Sequence, residues 1–357
     1  MAKQDKQPEI LGAGAGLAGS IAIESGTSLG ENIPVKARGY WEQVWLRFSR
    51  DKVAVFGGVF IIFLLLLAFV GAPVAAAVLG HGPNQPFPEG LDENLLPVGP
   101  WTHVSTAPYI GATGTYPDTI FVLGGDGQVG RDLFLRLLYG AQTSLEVAIL
   151  ATFFSVAIGV IMGLMAGYYR GWVDTLISRL TEIVMAFPAL LFIIAVAATV
   201  GERLNGVTFG GVLAPGVFTL VLIFAIFGWF YPARIIRGLV LSLREKEFIE
   251  AARMTGAGDG RIMSSHLLPH LVAPIIVYST LIVANNVIAE AGLSFLGLGI
   301  QQPTASWGNL LSEAPTYYTT QPWIMVWPGL SILMTTLAFN LLGDGLRDAF
   351  DPRRTGN

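Results

Sequence analysis

The stretch KEFIEAARMTGAGDGRIMSSHLLPHL, residues 246–271, is a charged segment between two long apolar ones. Its first part consists of helix formers, and a cluster of glycines then favours a turn. The cluster comprises Gly256, Gly258 and Gly260. A second short helix is expected over 262–268, and Pro269 then falls in the first turn of the next apolar helix, where proline is tolerated. The pattern predicts a polar helix–turn–helix that joins two membrane spans.

Two small side chains, Ala251 and Ala252, belong to the first of these helices. Side chains of this size would let the surface of another protein come close to the helix backbone. The segment therefore suits recognition by a soluble partner, and the alternative is a plain connector between spans.

The composition of the whole chain is that of a protein dissolved in lipid. Of its 357 residues, 53% are hydrophobic and only 13% are charged, against about 25% charged residues in a soluble domain. The net charge of −4 and the lack of a basic stripe argue against nucleic-acid binding. The absence of cysteine excludes disulfides and thiol chemistry. Pro269 interrupts the helical spacing of His266 and His270, so no metal site is predicted.

Six apolar segments predict an all-α polytopic membrane protein with six transmembrane helices. They are residues 53–79, 139–169, 183–200, 213–233, 271–289 and 323–343. We expect the third span to begin near Trp172, after a very short turn.

The remaining segments differ in composition. Residues 1–35 are rich in Gly, Ala and Ser, which predicts a disordered cytoplasmic tail. Residues 36–52 place tryptophan and phenylalanine on one helical face and cations on others, which predicts an interfacial amphipathic helix. The predicted order is then the first transmembrane helix (53–79), an extracytoplasmic loop (80–138), a permease core with five transmembrane helices (139–345) and a cytoplasmic C-terminus (346–357).

The Lys and Arg residues predict the orientation, since cytoplasmic loops carry an excess of them. Eighteen of the 21 lie on the predicted side of the two termini and of the 246–269 loop. Only Arg131, Arg136 and Arg203 lie on the other side. Both termini and the 246–269 loop are therefore expected to be cytoplasmic.

The 246–269 loop resembles the EAA loop of the membrane subunits of ABC importers. The resemblance rests on Glu250-Ala251-Ala252, Gly256 and the pair Leu268-Pro269. His266 departs from it, because the family usually has an aliphatic residue there. In that family the loop forms coupling helices that dock on a cytoplasmic ATPase subunit. The resemblance therefore implies a coupling role for Glu250, Ala251, Ala252, Gly256, Leu268 and Pro269.

Further motifs resemble one branch of these importers, the C-type permeases of dipeptide, oligopeptide and nickel systems. The first is Gly130-Arg131-Asp132, followed by Arg136 and by Tyr139-Gly140-Ala141, with Gln142 where that branch usually has arginine. The others include EAGLSFLGLG at 290–299 and NLLGDGLRD at 340–348. Together they cover roughly residues 131–353. The resemblance implies a type I ABC importer permease architecture.

Several polar residues near the spans have two interpretations. A carboxylate at the end of a span must be paired or hydrated. Glu290 therefore either lines the pathway at the outer gate or ties the fifth span to the loop that follows it. Asn286 is predicted to join helices by hydrogen bonds, with a pathway role as the weaker alternative. Arg131-Asp132 is expected to form a local ion pair, with direct substrate contact as the alternative.

Pro188 favours a kink. Gly159, Gly163 and Gly167 predict a small-residue packing face.

The resemblance implies a pore subunit of an ATP-driven importer of di- or oligopeptides, and not an enzyme. No GxxxxGK[ST] loop is present in the sequence, so ATP and Mg²⁺ are expected on partner subunits, and no catalytic residue or bound cofactor is predicted for this chain. The implied partners are a B-type permease paralogue, two cytoplasmic ATP-binding subunits and an extracytoplasmic substrate-binding protein. The implied location is the bacterial or archaeal plasma (inner) membrane.

Alternative functions remain open from the sequence. A permease of the same family could carry nickel or another small solute. An ion-driven secondary transporter would require an inverted repeat and ionisable groups near the midplane, and the sequence suggests neither. An intramembrane enzyme would require a nucleophile with a base, or a metal set, within the spans.

Overall fold

Apolar helices make up most of the structure, a computed structural model that describes residues 39–107 and 116–351. Helices suit a lipid environment because they satisfy their backbone polar groups internally. In chain order they are α1 (Tyr40–Phe48), α2 (Lys52–Leu79), α3 (Leu133–Tyr169), α4 (Gly171–Met185), α5 (Ala189–Leu204), α6 (Val217–Leu243), α7 (Glu247–Met254), α8 (Asp259–Phe295), α9 (Trp307–Tyr317) and α10 (Trp323–Phe350).

Within the described ranges, five helices are long and apolar enough to cross a membrane: α2, α3, α6, α8 and α10. The pair α4 and α5 adds a sixth span if the two count as one, although they meet at 85°. The six predicted spans therefore agree with the structure. The third is not continuous, however, because it breaks at Pro188, whose ring disfavours helix in the residue before it. The kink predicted for Pro188 is confirmed.

Two predicted helix boundaries are wrong. Helix α3 begins at Leu133, well before the predicted residue 139, because Asp132 accepts hydrogen bonds from the first backbone N–H groups of the helix. The predicted short helix at 262–268 is not separate, because it is the first part of α8, which runs on to Phe295 through a wider π-helical turn at Ile262–Leu267. Ile262, Leu267 and Leu271 are all buried in one cluster, so a single buried face continues through that turn.

Helix α3 packs closely against α6 along a face of glycines. A Cβ atom on Gly163 would lie 2.6 Å from the Ala233 carbonyl oxygen and 2.8 Å from Cβ of Ile236. Gly159 and Gly167 are equally confined, by Pro232 and Val240. The predicted small-residue packing face is confirmed, and it brings the two helix backbones together.

Helices α2, α8 and α10 form the other half of the bundle. Helix α10 packs against both α2 and α8, and α8 also packs against α3. Gly345 and Ala54 are the tightest contact, since a Cβ on Gly345 would lie 2.0 Å from Cβ of Ala54. Helix α1 rests on the end of α10, where the Trp41 and Phe350 rings are 6.1 Å apart. Its Trp45 is 66% exposed, which suits the predicted interfacial helix, whose position on a membrane stays a prediction.

A small folded unit lies between α2 and α3, where the sequence predicts only a polar loop. Strand β1 (Thr102–Ser105) pairs antiparallel with β2 (Asp118–Phe121), and β3 (Gly125–Asp126) pairs with β4 (Arg131–Asp132). The rings of Phe87 and Phe121 meet edge to face at 5.3 Å and are fully buried with Val104. We call residues 80–107 and 116–132 the β unit. The predicted tail at 1–35 and the last residues, 352–357, lie outside the described residues.

Asp132 joins the β unit to α3. Its carboxylate accepts hydrogen bonds from the backbone N–H of Phe134 at 2.8 Å and of Leu135 at 3.4 Å. Its second oxygen lies 3.5 Å from Nε2 of His81, just after the end of α2. Burial raises the pKa of the Asp132 carboxyl to about 6, against the opposing effect of the two N–H donors. Burial also lowers the pKa of His81, so both groups favour their neutral forms.

We expect Gly163→Ala to destabilise the protein by about 1–3 kcal/mol, because the added methyl group forces α3 and α6 apart. Gly238→Ala on α6 is the matched control, since no atom lies within 4 Å of its Cβ position. The thermal unfolding midpoint in lipid nanodiscs measures both. Equal midpoints for the two variants would contradict the close packing of α3 on α6.

We also expect Asp132→Asn to remove part of the pH dependence of stability. Asp132 binds its proton more tightly in the folded chain, so its contribution is fully present below pH 3.8 and is lost as the pH rises through about 6. The loss amounts to at most about 3 kcal/mol. Asparagine keeps the helix cap but does not titrate. The measurement is the difference in unfolding midpoint between the two proteins from pH 4.5 to 7.5, and a constant difference would contradict the raised pKa.

Candidate functional site

Helix α7 is anchored to the rest of the chain by one face only. Ile249 is fully buried and Ala252 nearly so, in a cluster with residues from α3, α6 and α8. Ala251 and Met254 lie on the exposed side, and Met254 is 86% exposed. The prediction that both alanines let a partner protein approach the helix is therefore wrong for Ala252, because its small side chain packs against the rest of this chain. Glu250 is exposed.

The turn after α7 is a Schellman motif, in which the chain reverses after a residue with positive φ. Gly256 has φ +81° and donates its N–H to the Arg253 carbonyl at 2.9 Å. Ala257 donates to the Ala252 carbonyl at 3.0 Å. These two bonds define the motif. They require a positive φ at residue 256, which strains any side chain with a Cβ atom and which glycine adopts readily. Gly258 is different, because its φ of −70° is open to any residue.

Tyr168, at the end of α3, ties this turn to the bundle. Its hydroxyl donates to Asp259 Oδ1 at 2.7 Å, and the guanidinium of Arg253 lies 5.5 Å from its ring centroid. Arg244 donates to the backbone carbonyl of Tyr168. Sequence reasoning missed this role. The only signal is that Tyr168 lies within the run GYYRG, and this run does not indicate partners that lie 76 and 91 residues further along the chain.

Leu268 and Pro269 lie in α8 directly after its π-helical turn. The neighbouring Leu267 is fully buried, whereas Pro269 and His270 are exposed. The ring of His270 lies 4.9 Å from that of Phe248 on α7. In the part of the chain that the structure describes, no cluster of three or more His, Cys, Asp or Glu is arranged to hold a metal ion.

Buried charges fix the β unit on the opposite end of α3. Arg136 is fully buried, forms an ion pair with Asp126, and donates to Gln302 Oε1 at 2.8 Å. Arg131 donates to the same Gln302 oxygen at 2.8 Å and to Glu313 Oε1 at 3.3 Å. The predicted ion pair between Arg131 and Asp132 is wrong, because the antiparallel register places Arg131 opposite Asp126 and leaves Asp132 to cap α3.

Burial and the arginine charges act in opposite directions on the pKa values of the two carboxyl groups in this cluster. Burial raises the pKa of the Asp126 carboxyl, while the charges of Arg136 and Arg131 lower it. Burial and the charge of Asp126 raise the pKa of Glu313, and the arginines again lower it. Gly130 belongs to the same region with φ +61°, where a Cβ would lie 2.5 Å from the Phe87 carbonyl oxygen. The burial of these groups favours a structural role over contact with a transported molecule.

Glu290 lies at the centre of a second buried polar group. Its carboxylate accepts hydrogen bonds from Ser144 on α3 and Ser294 on α8, each at 2.7 Å. The Ser144 hydroxyl oxygen in turn accepts from the backbone N–H of Trp307 at 3.2 Å, and that of Ser294 accepts from Ile300 at 2.9 Å. Glu290 is fully buried, so the geometry favours the tie between the fifth span and the following loop.

Asn286 donates its amide to Thr152 Oγ1 at 3.0 Å and so joins α8 to α3. This bond is of the kind predicted for it. Asn285 faces outward and bonds to the Leu281 carbonyl of its own helix. Among the described residues no contact places Asn286 on a translocation pathway, so that weaker alternative stays a prediction.

Comparison with known proteins places the chain among transport subunits. Residues 159–356 match the family described as the binding-protein-dependent transport system inner membrane component. Residues 39–97 match the N-terminal TM domain of oligopeptide transport permease C. The two matches include α1, α2, the last third of α3 and the helices that follow it.

Curated relatives agree with these matches. The chain is 37% identical over 313 residues to the glutathione transport system permease protein GsiD of Pectobacterium atrosepticum, covering 88% of this chain and 91% of the relative. It is 38% identical over 323 residues to GsiD of Escherichia coli O157:H7, covering 90% and 94%. It is 42% identical over 229 residues to the dipeptide transport system permease protein DppC of Alkalihalophilus pseudofirmus, covering 64% and 71%.

These matches agree with a bundle of membrane-spanning helices in which the short helix α7, exposed on one face, follows the fourth span. The chain therefore belongs to the family of binding-protein-dependent transport system inner membrane components, and within it is a C-type permease of the peptide branch, a transport subunit and not an enzyme.

Proposed function

We propose that this chain forms half of the pore of an ATP-driven importer for glutathione-like or other short peptides. A B-type permease paralogue would supply the other half, and two cytoplasmic ATP-binding subunits the driving force. A substrate-binding protein would deliver the peptide from outside. The observation that carries the proposal is the construction of α7, which is exposed along one face and rigidly joined to three spans on the other.

The rigid joint explains how α7 would transmit force. Ile249 and Ala252 bury one face of α7 against α3, α6 and α8, and Tyr168 fixes Asp259 at the start of α8. A partner that displaces α7 therefore moves the ends of these spans with it. Packed helices switch between discrete arrangements and do not deform continuously, so such a displacement favours one packing of the bundle over another. The partner supplies the free energy, and this chain supplies the two states.

The orientation follows from charge. The end of the bundle that holds α7 carries most of the Lys and Arg residues, and the end that holds the β unit carries few. We infer that both termini and α7 are cytoplasmic and that the β unit faces outward. ATP and Mg²⁺ would then bind to partner subunits on the α7 side.

The substrate class is inferred from the relatives. Their names specify glutathione and dipeptide transport. Glutathione is itself a short peptide, so peptide import is the substrate class that both names share. Nickel or another small solute is the second candidate, and it rests only on the resemblance of the sequence motifs.

Reconstitution tests the proposal. The chain would be purified with its paralogue, ATP-binding subunits and binding protein, and placed in liposomes. We expect ATP-dependent accumulation of a dipeptide or of glutathione and none of nickel. Uphill accumulation by this chain alone, without nucleotide hydrolysis, would overturn the proposal.

We expect Gly256→Pro to uncouple ATP hydrolysis from uptake, because proline holds φ near −65° and cannot adopt the +81° of Gly256. Glu250→Arg should have the same effect by reversing the charge on the exposed side of α7. Both variants should insert and assemble normally. The readout is the number of peptides imported per ATP hydrolysed.

Gly258→Ala is the matched control for the turn. Gly258 has φ −70° and an open Cβ position, so alanine should leave the coupling ratio unchanged. A normal ratio in Gly256→Pro would show that the capped turn has no part in coupling.

A further inference from the structure

A cavity of about 340 Å³ opens beside α3 at the end that carries the β unit. It lies between α3, the segment after α2, the loop from α5 to α6 and the loop from α8 to α9. Its polar lining is Asn84, Tyr139, Gln142, Thr143, Glu146 and Thr304. None of the described residues that line it is Lys or Arg.

Glu146 gives this cavity its charge. Its side chain is partly buried, and the contact that the structure shows for its carboxylate is one long hydrogen bond, 3.4 Å from Gln142 Nε2. This differs from the other buried acids at this end. Asp126 and Glu313 face arginines, and Glu290 accepts two short bonds. Glu146 therefore keeps most of its capacity to accept hydrogen bonds and has no counter-ion among the residues lining the cavity.

The neighbouring groups have spare capacity as well. Gln142 donates through its nitrogen, so its amide oxygen is available as a second acceptor beside the carboxylate. Asn84 accepts from Arg136 Nη1 at 3.1 Å, so its amide nitrogen is available as a donor. Besides the hydroxyl groups of its lining, the cavity thus presents a charged acceptor and a neutral acceptor side by side, with a neutral amide donor.

This pattern matches a primary ammonium group with a carbonyl next to it. An ammonium group has three donors and a positive charge, which suit Glu146 and Gln142. The adjacent carbonyl oxygen suits the donor of Asn84. A hard metal cation would need more carboxylate or carbonyl ligands than this site offers. An anion would be repelled by Glu146.

We propose that Glu146, Gln142 and Asn84 form a binding subsite for the N-terminal ammonium group and first carbonyl of a peptide as it enters the pore. The inference rests on the proposed function for the identity of the ligand and the direction of entry. It adds that the permease itself selects for a free amino terminus, in addition to any selection by a binding protein.

Cysteine protection tests the subsite without transport. The chain has no native cysteine, so Thr304→Cys places a single thiol on it, at the cavity wall. The assembled complex of both permeases and both ATP-binding subunits, in lipid nanodiscs without binding protein, is alkylated with a maleimide. The probes are alanylalanine, N-acetyl-alanylalanine and ethylammonium chloride.

We expect alanylalanine to slow alkylation at lower concentration than ethylammonium, and the acetylated peptide to have no effect. Glu146→Gln should raise the half-protecting concentration of alanylalanine by about tenfold or more, the usual result of removing one partner of a charged hydrogen bond. Glu93→Gln is the control, since Glu93 is an exposed carboxylate of the β unit that does not line the cavity.

Three results would overturn the subsite: equal protection by the acetylated peptide, protection that survives Glu146→Gln, or no protection by alanylalanine. Failure of the proposed function looks different, since reconstituted transporters would then import no peptide whatever the labelling shows. Normal peptide import by the Thr304→Cys variant, combined with no protection of its introduced thiol by alanylalanine, would reject the subsite alone.

Discussion

The contact between α3 and α6 along Gly159, Gly163 and Gly167 is the interaction on which the other features depend. Helix α3 has 37 residues, so it extends about 55 Å and reaches beyond the lipid at one end or both. Its glycine face holds α6 at a fixed depth, which sets the position of α7 directly after α6. The same helix presents Tyr168 at one end and Arg136 near the other. A single close-packed pair of helices thereby relates both ends of the molecule.

The two ends are built on opposite principles. At the β unit, charged side chains are buried and satisfied by one another, with Arg136 and Asp126 fully enclosed. Breaking such a buried pair is costly, so this end is held in one arrangement. At α7, charged and apolar side chains remain exposed, while Ile249 and Ala252 bury the inner face of the helix against the bundle. A subunit that receives force from a partner benefits from an exposed but rigidly mounted element of this kind.

Membership of the permease family gives these features a common meaning. Under the proposed function, a subunit that is driven by an ATP-hydrolysing partner needs a surface that contacts this partner and spans that move with it. The bundle contains more than straight apolar helices. Its third span is bent at Pro188, and hydrogen bonds of Glu290 and Asn286 join α8 to α3. Polar bonds across helices in lipid fix particular pairings without the cost of burying an unpaired group. Such pairings define discrete arrangements between which a transporter can change.

The sequence by itself determined the all-helical class, the six spans, the kink at Pro188, the glycine face of α3 and the family, because apolar length, proline chemistry and local motifs are properties of short stretches. Only the tertiary structure decided that Ala252 faces inward, that 262–268 belongs to α8, that Arg131 pairs away from Asp132 and that Tyr168 holds the turn after α7. Each of these depends on which distant segment lies opposite a side chain. Residues separated by 91 positions, as Tyr168 and Asp259 are, meet only once the helices have packed.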